Sequence, residues 1–400
     1  MANSSAPLAP HYSPLAIPID EQLRRAVDDK TIAGVVAMAT DRERVLYGGA
    51  FGFADLASAR PMTTDALFRI ASMTKAITSV AALQLVESGR LGLDDPVEKY
   101  LPAFARLSVF DAFDSATGAY RVRQSSRAVT VLHLMTHTSG LGYGFTSPIL
   151  RDFKPRAGEQ LPVGPLLFEP GERWLYGTST DWLGRLVEAV SGQTLEDGFR
   201  RRIFDPLEMP DTFYNVPPGK QARLAAVHRR QPDGSIVKEP KQPSPLVSRP
   251  SGGGDLASTA NDYVRFLRML LNGGELDGVR ILSADTVALM SRNHIGALGV
   301  PALKTAMPAT SGDFSFIADG RDKWGLGLLI TADHVSGKRS AGSLSWGGIY
   351  NTYFWIDGSR GIAGVILMQF LPFADPKALA TYDGFERGVY RLAEAVKNGP

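Results

Sequence analysis

Ala71-Ser-Met-Thr-Lys75 stands where an extended apolar stretch, Ala66-Leu-Phe-Arg-Ile70, gives way to a helical pattern through Ile77, Val80, Ala81, Leu83 and Val86. That setting makes Ser72 a candidate nucleophile and Lys75 its base. A serine and a lysine three apart on a helix share one face, about 5 to 6 Å between their Cβ atoms, so the amine reaches the hydroxyl. In a strand they would diverge. The start of a helix also suits the chemistry, because unpaired backbone N–H groups and the positive end of the dipole stabilise an oxyanion and disfavour an ammonium. A second serine–lysine pair, Ser235-Ile-Val-Lys238, follows the turn-forming Gln231-Pro-Asp-Gly and reads as a short strand, where the same spacing carries no chemistry.

Two other segments carry groups that could serve such a serine. Tyr176 opens a loop, Tyr-Gly-Thr-Ser-Thr-Asp, that leads into a helix after Pro170-Gly171. A phenol beside an ammonium is a competent general acid or base, although a tyrosine taken alone also reads as packing. Trp346-Gly-Gly-Ile349 places two glycines in a strand, which marks either a bulge or a close approach of ligand to backbone, where an N–H could complete an oxyanion hole. His133 and His137 are four apart on an expected helix, but Leu-Met-Thr between them lacks the glutamate of a zinc protease, so a structural role is expected. The aromatics Tyr143, Phe145 and Phe314, with Phe168, Trp174, Trp324 and Tyr350, flank these segments and could line an acyl or alcohol pocket or pack the core.

The elements that must position these groups come from both ends of the chain. Residues 20–30 read as a helix and 33–40 and 44–53 as two strands joined by a turn at Asp41-Arg-Glu-Arg. Residues 324–331, 344–357 and 361–369 read as strands, and a helix from 383 to 396 follows. Between these ends lie helical patterns near 76–88, 128–137, 179–190, 195–203, 260–272 and 283–291, with long polar loops at 105–127 and 142–172. The expected fold is α/β (α+β): an antiparallel sheet flanked by terminal helices, with an inserted mainly helical domain. Boundaries follow as a flexible arm over 1–19, a sheet domain from 20–75 plus 320–400, and a helical domain over 76–319 with lid-like loops, the site lying between them.

Composition narrows the chemistry further. Four hundred residues, 44% hydrophobic, can bury a large core, and a net charge of +2 without basic runs gives no case for nucleic acid or a membrane surface. The chain has no cysteine, so thiolate catalysis, thiolate metal sites and disulfides are excluded, and the nucleophile must be oxygen or nitrogen. Residues 1–19 hold four prolines and lack the basic start and apolar core of a secretory signal. No apolar run approaches the roughly 20 residues that span a bilayer, so the expected location is the cytoplasm.

Taken together and in order, Ser72-Met-Thr-Lys75, Tyr176-Gly-Thr and Trp346-Gly-Gly348 resemble the three motifs of the serine β-lactamase/penicillin-binding-protein fold, specifically its class C-like esterase branch, the family VIII carboxylesterases. Leu134-Met-Thr-His-Thr-Ser-Gly-Leu141, Phe168-Glu-Pro-Gly-Glu172 and the segment from Gly252 to Tyr263 also match, so the resemblance spans roughly residues 20–395. It implies a Ser72 nucleophile, Lys75 as base or proton relay, Tyr176 as proton donor to the leaving group, and an oxyanion hole from the backbone N–H groups of Ser72 and Ile349. The expected substrate is a small-molecule ester, turned over without metal or cofactor and bound by Trp346, Gly347 and Gly348 of the third motif, with the flanking aromatics Tyr143, Phe145 and Phe314 as candidate lining residues. The departures matter equally. Enzymes of this fold that act on β-lactams carry Lys-Thr-Gly at the third motif. Trp346 replaces that cation, and Thr178 stands where class C enzymes have asparagine. Short-chain or uncharged esters are therefore the expected substrates, with weak β-lactam hydrolysis at most. An acyltransferase of the kind found among fungal polyketide enzymes, a β-lactamase or D-Ala-D-Ala peptidase, and a catalytically silent binding protein are the alternatives.

Overall fold

A computed structural model describes residues 14–244, 246–315 and 320–398. Residues 1–13 of the expected arm lie outside the described residues, and helix α1 (Ile17–Asp28) begins before that arm was expected to end. The remaining strands and helices follow from which segments can bury apolar faces.

Strands from the two chain ends form one eight-stranded antiparallel sheet: β1 (Gly34–Thr40), β2 (Val45–Asp55), β3 (Arg60–Pro61), β4 (Lys323–Trp324), β5 (Leu329–Ile330), β6 (Leu344–Gly348), β7 (Thr352–Asp357) and β8 (Ile362–Leu367). Edge to edge, the order is β4-β5-β6-β7-β8-β1-β2-β3. The first strand of the chain therefore pairs with the last of the sheet, Val36 opposite Leu367 and Met38 opposite Val365. β7 and β8 are buried along their whole length, which is why they read as unbroken apolar runs and not as alternating ones. The stretch 344–357, expected as one extended element, is a hairpin. Asn351 turns the chain at φ +60°, a left-handed conformation asparagine tolerates, and its amide donates to the carbonyls of Phe370 and Pro372, both at 2.9 Å.

Each face of the sheet is covered by helices. On one, Ile19 and Leu23 of α1 and Phe385 and Val389 of the C-terminal helix (Pro376–Asn398) pack with Val35, Ala37, Tyr353, Trp355 and Ile366. On the other, Phe266, Leu267 and Leu270 of the helix Ala260–Leu271 join Val36, Phe354 and Val365 in a core that continues into the middle of the chain. At the centre of that core lies α2 (Thr74–Glu87), buried on nearly every side, with helices Ser179–Ser191 and Leu195–Phe199 packed against it.

Two expected loops are better ordered than their composition suggested. Within 105–127, Ser108–Phe113 and Tyr120–Gln124 form a hairpin whose Phe110 and Tyr120 pack edge-on against Phe153, at 5.2 and 5.0 Å between ring centroids. Polar residues of this hairpin face water, which is what made it read as loop. Within 142–172 a short helix runs from Pro148 to Asp152, capped by Ser147.

Candidate active site

The chain reaches Ser72 under tension. Phe68-Arg69 pairs with Ala257-Ser258, Ile70 N–H donates to Leu256 O, and Ala71 then adopts φ +45°. A left-handed alanine costs about 1–2 kcal/mol, a cost met where the surroundings dictate the backbone, often at functional turns. Ser72 sits in the single 3-10 turn Ala71–Met73 that opens onto α2, so residues three apart nearly eclipse. Lys75, 1% exposed, places its Nζ 3.2 Å from Ser72 Oγ. At Ser235 and Lys238 the side chains separate: the serine bonds Asp233 and the lysine pairs with Asp55 at 2.7 Å.

Lys75 has two further partners that the sequence did not reveal. Its Nζ donates to Gly253 O at 2.6 Å and to the hydroxyl of Tyr143 at 3.1 Å. Tyr143 was expected only as a pocket aromatic. Its hydroxyl in turn donates to Asp181 Oδ2 at 2.8 Å, while Asp181 Oδ1 accepts from Ser251, whose Oγ accepts from Gly253 N–H at 3.0 Å. Burial and the Asp181 charge push the Tyr143 phenol well above its ordinary pKa, so it stays a neutral donor to that carboxylate. The sequence signals were present but unremarkable: Asp181 lies five residues after Tyr176, and Ser251-Gly-Gly-Gly-Asp255 reads as a loop.

Tyr176 is buried within the same site. Its ring lies 4.9 Å from Lys75 Nζ, 5.3 Å from Tyr143 and 4.9 Å from Trp346, whose indole Nε1 donates to the Tyr176 hydroxyl at 3.4 Å. The residue that hydrogen-bonds Lys75 is therefore Tyr143, and Tyr176 approaches the lysine with its ring. Behind Tyr176 packs His137, at 5.0 Å and φ +55°. Burial, with Lys75 nearby, holds its imidazole well below the usual pKa and hence neutral. His133 and His137 do not share a helix, since Val131–Met135 ends between them, and His133 caps that helix by accepting from Thr130 N–H at 3.1 Å.

The third segment forms the far wall. β6 lies against the turn that carries Ser72, and Gly348 permits this: a Cβ there would sit 2.3 Å from Ile70 O. Two cavities meet at Ser72 and Ile349. The smaller, about 90 Å³, is walled by Tyr143, Phe145, Tyr176, Phe314, Trp346 and Gly347 among others. The larger, about 480 Å³, runs past Arg69, Tyr214, Arg249, Asp255 and Tyr350. Of the residues expected to line the substrate, Gly348 alone borders neither cavity, because it faces Ile70. Phe314 reaches the smaller one while packing on Phe373 at 4.8 Å.

Known proteins share this arrangement of chain. Over 401 residues the chain is 33% identical to lovastatin esterase of Penicillium rubens, covering 95% of this chain and 99% of that protein. It is 30% identical over 402 residues to monacolin J acid methylbutanoyltransferase of Aspergillus terreus, with 93% and 95% covered. The unliganded structure of simvastatin synthase from Aspergillus terreus matches with a TM-score of 0.79 at 28% identity, over 94% of this chain and 98% of that one. The model of the Beta-lactamase family matches residues 19–386, and with nearly the whole chain so matched the protein belongs to that family, among its serine hydrolases and acyltransferases.

Proposed function

We propose that the protein hydrolyses short-chain or otherwise uncharged carboxylic esters through an acyl-enzyme on Ser72. The observation that carries this reading is the place of Ser72: 3.2 Å from a buried lysine amine and at the junction of two cavities, the smaller walled by Trp346 where a β-lactam-processing site would hold a cation. In the proposed cycle the Lys75 amine takes the Oγ proton as Oγ adds to the ester carbonyl. The oxyanion is held by the N–H groups of Ser72 and Ile349, each such donor being worth roughly 2.7–4 kcal/mol to the transition state. Collapse breaks the ester C–O bond, and Tyr176 returns a proton to the departing alkoxide. Water then adds to the acyl carbonyl along the reverse proton path and releases the acid.

The two cavities also favour a second reading, in which an alcohol held in the larger one intercepts the acyl-enzyme in place of water. A transferase among the relatives supports it. Nitrophenyl esters of graded acyl length, run beside a chromogenic cephalosporin on wild type and Ser72→Ala, test both. Short esters should turn over with an initial burst, the cephalosporin slowly, and Ser72→Ala should lose roughly 10³-fold or more. Full activity in Ser72→Ala ends the proposal. A competing alcohol that converts the acid product to an ester selects the transferase reading.

A further inference from the structure

We infer that Asp181 is the positioning residue that aims the Lys75 amine at Ser72, acting through two arms that close into one ring. This rests on the acyl-enzyme reading above. In one arm Asp181 Oδ2 accepts from the Tyr143 hydroxyl, so that proton is committed and the phenol oxygen can only accept from Lys75. In the other, Asp181 Oδ1 accepts from Ser251 Oγ, which accepts from Gly253 N–H and so orients the peptide chain whose carbonyl takes Lys75 Nζ at 2.6 Å.

The count of donors makes the consequence specific. In the form in which it acts as base in the proposed cycle, the lysine amine has two N–H groups and one lone pair. Tyr143 O and Gly253 O are both acceptors, and they take the two N–H groups. In that form the lone pair is left for the third neighbour, the Ser72 hydroxyl, whose Oγ lies 3.2 Å from Nζ. Neither acceptor touches the serine, yet together they set the direction in which the base points. Asp181 holds both.

Two further contacts show how tightly the ring is built. A Cβ on Gly253 would fall within 2.3 Å of Asp181, so only glycine admits the carboxylate at this place. Thr78 on α2 donates to Gly252 O at 2.7 Å and pins the same loop to the helix that bears Lys75. The other titratable groups facing Lys75 are Tyr176 by its ring, His137 behind it, and Asp255, with Arg185 acting on Asp255 in turn.

The test compares the rate of Ser72 labelling by a fluorophosphonate, and kcat/KM with its pH profile on a nitrophenyl ester, in wild type, Asp181→Asn, Tyr143→Phe and Ser251→Ala. Loss of aim by about an ångström costs on the order of 10²-fold in rate. Asp181→Asn, which retains one acceptor oxygen and turns the other into a donor, should lose about 10- to 100-fold in both rates with KM nearly unchanged and the acidic limb of the profile displaced. Tyr143→Phe and Ser251→Ala should each lose part of this. Either one added to Asp181→Asn should cost less than it does alone, because its arm is already broken. Unaltered rates and pH profile in Asp181→Asn, or losses that simply add, overturn the inference while leaving Ser72 as nucleophile. Should Asp181→Asn not fold, the Tyr143→Phe and Ser251→Ala pair decides: displacement of the profile in both supports the ring, and an unchanged profile in both overturns it. A wild type that is not labelled at Ser72 removes the acyl-enzyme reading and this inference together.

Discussion

At the scale of single residues, two tyrosines flank one lysine and the geometry divides their work. Tyr143 hydrogen-bonds Lys75 and is tied to Asp181, whereas Tyr176 gives Lys75 its ring and shares its hydroxyl with Trp346. Under the proposed cycle Tyr176→Phe removes a proton donor and should lower kcat by about 10²- to 10⁴-fold. Tyr143→Phe, which disturbs only one of the two arms holding the base, should lower it less. Steady-state kinetics on one nitrophenyl ester separates them, and equal losses would contradict the division. A different residue governs stability against pH. Burial pushes Asp262 up to about 6, despite hydrogen bonds from Asp211 N–H at 2.7 Å and the Thr212 hydroxyl at 2.9 Å. A carboxyl whose folded pKa lies above its unfolded value near 3.8 contributes stability below about pH 4 that is lost as pH rises through 6, here about 3 kcal/mol at most. Asp262→Asn keeps both acceptor contacts and should remove that loss. Urea unfolding at pH 3.5, 5 and 7.5 should show the variant gaining little on wild type at the lowest pH, about half of the full gain at pH 5 and all of it at pH 7.5.

At the scale of elements, the site depends on β6 pressing against the turn that carries Ser72. Gly348 stands at that contact, so Gly348→Ala must push the strand away from Ile70. A shift of this size should lower kcat by about 10- to 100-fold through a misplaced Ile349 N–H, with a smaller effect on KM. Unchanged kcat in a folded Gly348→Ala variant would remove Ile349 from the oxyanion hole. The same strand shows why part of the site could be read in advance. Serine and lysine three apart at the start of a helix are a local pattern, and so is a glycine pair in a strand. The hairpin at Asn351 was not legible, because β6 and β7 are both buried along their whole length and only Ile349, Tyr350 and Asn351 stand between them, too short a break to interrupt what reads as one extended stretch.

At the scale of the whole molecule, the two ends of the chain complete one sheet, and the C-terminal helix locks it from the face that packs against α1. Glu386 on that helix is fully buried and pairs with Arg339 at 2.8 Å, with Lys338 at 3.1 Å beside it. Removing one partner of a buried pair leaves an uncompensated charge, so Glu386→Ala should cost about 3–5 kcal/mol. A thermal melt should show the lowered midpoint, while the rate per folded molecule stays that of wild type at low temperature, since this pair belongs to the core opposite α2. A matching midpoint would show that the pair does not hold the helix.

What the sequence by itself determined about this protein is local and periodic. It includes the helix start that brings Lys75 to Ser72, the strand pairing of β1 and β2 across a polar turn, and the ordered motifs whose family the comparisons bear out. The tertiary structure alone decided which groups converge on Lys75. Tyr143 and Gly253, which bond Lys75, and Asp181, which bonds Tyr143, come from segments 68, 178 and 106 positions away in the chain, and no residue type or spacing within any of them marks the meeting. The physical reason is that a buried amine takes its partners from whatever the core packs around it. That packing is set by long-range burial of α2 among helices and sheet, not by the residues next to it in sequence.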